Sequence, residues 1–133
     1  MATTLGKFEG LMTVAASTYQ FKIDGVGTTY SVAAGEYYWN SVASGGSVTF
    51  LSAVQTAFAG AVASTTVTMS AAGLITITWG SGTHTIEWVS SSGVFKLRDR
   101  LGFTGNLTPA AAAFTGTEQA EGLWLAPVMP ADL

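Results

Sequence analysis

A single histidine, His84, stands among threonines and glycines. A zinc site would need three or four ligands, and the chain offers neither a second histidine nor any cysteine. His84 therefore reads as a surface or sheet-edge residue, and no metal ion is expected. Serines are plentiful, so a Ser-His-Asp arrangement can be drawn on paper, but no Gly-x-Ser-x-Gly elbow fixes an exposed nucleophile. The carboxylates Glu36, Glu87, Asp99, Glu118 and Glu121 show no paired spacing of the kind glycoside hydrolysis uses. Gly25-x-Gly27 and Gly80-x-Gly82 are hairpin turns rather than phosphate loops, because neither opens a helix and no Gly-Lys-Ser/Thr follows. These residue types predict no catalytic residue and no cofactor, and the chain reads as a non-enzyme.

Three other groups could act through contact. Lys96, Arg98, Asp99 and Arg100 form the one charged cluster. They are either a solvated helix face or an inter-subunit patch meeting Glu118 or Glu121 of a neighbour, where charge sets register more than affinity. Tyr37, Tyr38 and Trp39 are a lid on the core and an interface, or else a platform for a sugar or receptor; aromatics are enriched at protein interfaces. The segment Gly122–Leu133 carries Trp124, Leu125, Val128 and Met129 with almost no charge, and apolar surface of this kind calls for cover. The interface candidates are thus Tyr37, Tyr38, Trp39, Arg98, Arg100, Trp124, Leu125 and Met129.

Composition narrows the class. The 133 residues make one domain, with an N-terminal arm over 1–7 and a C-terminal tail over 126–133. Charged residues are 10% of the chain and the net charge is −3, which argues against a nucleic-acid binder. So little charge leaves weak repulsion between copies, pointing to a subunit that buries surface against others. Without cysteine there are no disulfides, and the redox compartment stays open. No run of about 18 apolar residues exists to span a membrane. The N-terminus lacks the basic-then-apolar pattern of a secretory signal, so export by that route is not expected.

The elements that must position these residues centre on Ser47–Gly60. Phe50, Leu51, Val54, Ala57, Phe58 and Ala61 share one face of a helix expected over about 48–60, with Ser47 as N-cap and Gly60 as its end. Thr49, Ser52, Gln55 and Thr56 should face water. Phe8–Ala16 suggests a short strand. Tyr19–Asp24 and Thr28–Val32 read as a hairpin across a glycine turn. Ala33–Gly46 reads as a loop. Thr65–Ser70, Leu74–Trp79 and Thr83–Val89 alternate like strands and predict an antiparallel meander. Val94–Leu101 reads as a short helical turn closed by Gly102, with Phe103 returning to the core. Asn106–Ala113 reads as loop, and Ala112–Gly116 and Glu121–Leu125 as edge strands. The fold class expected is α+β: one antiparallel sheet of about five or six strands with one main helix packed on it.

In this order the motifs resemble a known module. Gly35-Glu36-Tyr37-Tyr38 leads into the Leu51-x-x-Val54-x-x-Ala57-Phe58 helix. Val67-Thr68-Met69-Ser70, Ile75-Thr76-Ile77 and a Trp-containing strand follow, then Leu101-Gly102-Phe103-Thr104 and Leu123-Trp124-Leu125. The pattern, running from Tyr19 to Leu125, is similar to a small structural module of tailed-bacteriophage virion proteins of the tail, neck and baseplate. The resemblance implies a structural, non-enzymatic virion protein assembled in the host cytoplasm. Its partners would be other copies of itself, as a homo-oligomer, and other virion proteins, with no nucleic acid and no membrane. A carbohydrate- or receptor-binding module of a tail and a capsid decoration protein are the alternatives.

Overall fold

The main helix, α1 (Phe50–Ala61), starts where its first amides find acceptors. The Thr49 side chain accepts from the Ser52 amide at 3.1 Å, while the Phe50 and Leu51 amides donate to the carbonyls of Tyr38 and Trp39 at 2.8 and 3.3 Å. The first-turn donors that a helix leaves unpaired are thereby satisfied, which makes Thr49 the N-cap in place of the expected Ser47. The helix also runs past Gly60 to Ala61 and ends as Val62 turns extended. Burial explains the extra residue: Val62 is buried and Ala61 packs against the core, which offsets the roughly 1 kcal/mol that glycine costs inside a helix. Phe50, Val54 and Phe58 are fully buried as expected, Ala53 is buried with them, and Leu51 is half-buried.

The computed structural model describes residues 5–90, 97–120 and 123–127, with the backbone path alone for 5–9, 90 and 123–127. In chain order the strands are β1 (Leu5–Glu9), β2 (Met12–Val14), β3 (Tyr19–Ile23), β4 (Tyr30–Ser31), β5 (Gly35–Tyr37), β6 (Thr66–Met69), β7 (Ile75–Thr78), β8 (His84–Ser90), β9 (Leu107–Ala111), β10 (Ala113–Thr115) and β11 (Leu123–Pro127); a short helix, α2 (Leu97–Leu101), lies between β8 and β9. The class is α+β with antiparallel pairing throughout. The single sheet is not observed. Among the described residues four sheets form instead, with strand orders β4-β3-β8-β9, β10-β7-β6, β2-β5 and β1-β11.

The division has a physical origin in the turn after β7. Strands β6 and β7 make the first hairpin of the expected meander, but β8 leaves β7 and pairs with β3, setting Phe21 opposite Trp88 and Ile23 opposite Ile86. Gly80 allows this turn to lie against the end of α1. A Cβ there would stand 1.9 Å from the Ala63 carbonyl oxygen. Two stretches expected as loops are strands: β5, which borrows its pairing from β2, and β9, which borrows from β8. Their Gly, Ala and Pro content carries little strand propensity, so the neighbouring strand supplies the order. Of the expected arm and tail, Leu5–Lys7 and Ala126–Pro127 belong to the β1–β11 pair.

Helix α2 ends as the sequence suggests. Gly102 takes φ +81°, its amide donates to Asp99 O, and the Phe103 amide donates to Arg98 O. These two bonds are a Schellman cap, and they return Phe103 to the core, stacked on Trp88 at 5.7 Å. Residues 94–96 of the expected turn lie outside the described residues.

The core is aromatic and gathers at Phe58. Its ring stacks on Phe21 at 4.0 Å and meets Trp79 and Trp88 edge-on at 6.0 and 6.4 Å. Replacing Phe58 with alanine is expected to lower the unfolding free energy by about 3–5 kcal/mol, measured by chemical denaturation. Gly80→Ala should also destabilise, because the obstructing atoms are backbone and cannot rotate away.

Candidate functional site

Of the sequence candidates, the aromatic run is resolved first. Tyr37 lies on β5, and its hydroxyl donates to the Ala33 carbonyl at 2.8 Å. Trp39 has 0% exposure and meets Phe50 edge-on at 4.8 Å. Tyr38 is half-buried, and its carbonyl accepts from α1. The run is therefore the lid of the core. Tyr37 and Trp39 are corrected as interface or sugar-stacking residues, because both are buried, beside the chain's own Phe50.

The basic cluster is turned inward as well. Arg98 Nε lies 3.3 Å from Asp99 Oδ1. Arg100 Nε and Nη2 donate to the Tyr19 hydroxyl at 3.3 and 3.1 Å. Both arginines are half-buried, and each has a partner within the domain. Glu118 is exposed, and its amide donates to the Gly102 carbonyl. Lys96, Glu121 and Met129 lie outside the described residues. Trp124 and Leu125 stand on β11, opposite Phe8 and Lys7 of β1.

The residue that the sequence reading passed over is Asp24, and it is the partner of His84. Asp24 and Gly25 take φ +56° and +69°, and the turn closes with the Val26 amide donating to Ile23 O. Two successive positive φ values make the primed turn that suits a right-twisted hairpin. The turn aims the Asp24 carboxylate back at β8. One oxygen accepts from the Thr85 amide at 2.9 Å, and the other lies 2.6 Å from His84 Nδ1. His84 Nε2 lies 2.9 Å from the Ser81 carbonyl oxygen. Both ring nitrogens therefore face oxygens, and the protonated ring is the form that can donate to both at once. In this arrangement Nε2 faces a main-chain carbonyl rather than a serine hydroxyl. The dyad is a clamp that ties the turn after β3 to the turn before β8. Sixty residues separate the partners, and no local spacing signals such a pair.

Two grooves border this framework. One, of about 430 Å³, runs between α1 and β4 and is lined by Tyr30, Ala33, Tyr37, Val48 and Ala57 among others, none of them charged. The second, of about 360 Å³, lies beside Gly35–Tyr37 and the 44–48 loop, with Glu36 as its one acid. Among the described residues no three His, Asp or Glu side chains converge as a metal site, and no helix is long and apolar enough to cross a membrane. Leu11, Val26, Val42 and Val48 are the large apolar residues left exposed among those described.

No protein-family model, curated protein or solved structure matches the chain.

The clamp has a pH signature. The hydrogen bond to Asp24 is the main cause raising the His84 pKa above its usual value, with the Ser81 carbonyl adding to it and burial opposing. The same bond is the main cause lowering Asp24, with the Thr85 amide second. A raised imidazolium stabilises fully below its unfolded pKa of about 6.5 and loses that contribution as pH climbs through the folded value. A lowered carboxylate stabilises above about 3.9 and loses it as pH falls through its own folded value. The clamp should be strongest between those limits. In Asp24→Asn, NMR titration is expected to show the His84 pKa falling. Thermal unfolding should lose its extra stability near pH 5–6, by at most about 1 kcal/mol for a pair this exposed.

Proposed function

We propose that the chain is a structural, non-enzymatic subunit of a tailed-phage virion, of the tail, neck or baseplate, working by association with copies of itself and with other virion proteins. The particle is suggested by the motif order between Tyr19 and Leu125. The means is suggested by one observation: β1 and β11 form a two-stranded sheet that belongs to none of the sheets around the core. A two-stranded ribbon is marginal in water by itself. Among the described residues no strand pairs with either of its outer edges, and a free edge can take an incoming strand. Low charge favours the same outcome, since little repulsion opposes contact between copies. The exposed Leu11, Val26, Val42 and Val48 add apolar surface that contact would cover.

Light scattering on the purified full chain is expected to give a mass well above the 13.7 kDa of one copy. Electron microscopy should show rings, or the protein attached to particles. A monomer at every concentration that is also missing from purified particles would overturn the proposal.

A further inference from the structure

Residues 5–11 read Leu-Gly-Lys-Phe-Glu-Gly-Leu. About Phe8, leucine mirrors leucine, glycine mirrors glycine, and lysine mirrors glutamate. Strand β1 supplies residues 5–9 of this stretch, with β11 on one side and, among the described residues, no strand on the other. Leu11, at the far end, is 51% exposed. An antiparallel pair about a twofold axis sets each residue opposite its mirror position. With the axis at Phe8, Phe8 stands opposite Phe8, Lys7 opposite Glu9 in both directions, Gly6 opposite Gly10, and Leu5 opposite Leu11.

We propose that the free edge of β1 pairs with the same edge of a second copy, antiparallel about Phe8, joining two ribbons into one four-stranded sheet of order β11-β1-β1-β11. A twofold interface must be self-complementary, and this stretch is. Opposite charges directly across a strand pair are favourable and like charges are not. The register is selected by the same rule. A slip of one residue exchanges the faces of the sheet. A slip of two in either direction puts Lys7 opposite Lys7 or Glu9 opposite Glu9 at the axis.

Other edges are less suited. On β6 the Val67 amide already donates to the Gln55 side chain at 2.9 Å. Strand β4 has two residues, and β9 carries Pro109, which has no amide hydrogen to donate. The β11 edge bears no charge to set a register and ends in Pro127. Pairing at β1 deepens the assembly role proposed above and rests on it for the claim that copies meet.

The test is charge reversal in the full chain, with mass followed by sedimentation equilibrium and folding by circular dichroism. Lys7→Glu and Glu9→Lys are each expected to weaken self-association at least about tenfold, because two opposed pairs become like-charged at once. An equimolar mixture of the two variants should associate again, since one chain then presents two acids at these positions and the other two bases. The double variant K7E/E9K should behave as the wild type. Folded single variants that associate with wild-type affinity, or a mixture that stays dissociated, would overturn this edge and leave assembly through another surface standing. A wild-type chain that is monomeric at every concentration would overturn this pairing, and one that is also missing from purified particles would overturn the assembly role with it.

Discussion

Phe58 has an aromatic neighbour on each layer it must hold together. Phe21 comes from β3, Trp88 from β8 and Trp79 from the end of β7, so one ring on α1 touches both larger sheets. Those two sheets share no hydrogen-bonded strand pair. Their relative placement therefore depends on what packs between them. Aromatic pairs add roughly 0.5–1.5 kcal/mol each beyond the area they bury. The helix is in this sense the joint between sheets, more than a cover laid on one of them.

Backbone geometry then decides how tightly the joint closes. Gly80 and Gly102 mark two places where main chains pass with no room for a side chain: Gly80 against Ala63 and Ser64, Gly102 against Glu118. Thr65 serves the first crossing, accepting from the Gly80 amide at 3.3 Å and donating to the Val62 carbonyl at 2.6 Å. The Asp24–His84 clamp closes the adjacent corner.

Assembly by this chain would draw on segments the core does not need. The ribbon of β1 and β11 takes its strands from opposite ends of the described chain, so its edges can be engaged without disturbing Phe58 and its neighbours. A protein built this way separates the part that folds it from the part that joins it.

By itself the sequence determined the helix seam, the alternation of β3, β7 and β8, and the glycine cap after Leu101. Each is a local periodicity or a single backbone demand, readable within a dozen residues. Tertiary structure alone decided which strand β8 would pair with, because alternation says which face is buried and not which edge is met. It also decided that Thr49 caps α1, since the carbonyls of Tyr38 and Trp39 take the neighbouring amides and leave the threonine hydroxyl the third. The fate of Tyr37 and Trp39 was equally invisible, an aromatic run reading the same whether it faces solvent or Phe50. The partnership of Asp24 with His84 was out of reach for the same reason: two side chains sixty residues apart meet only once the sheets that carry them have been placed.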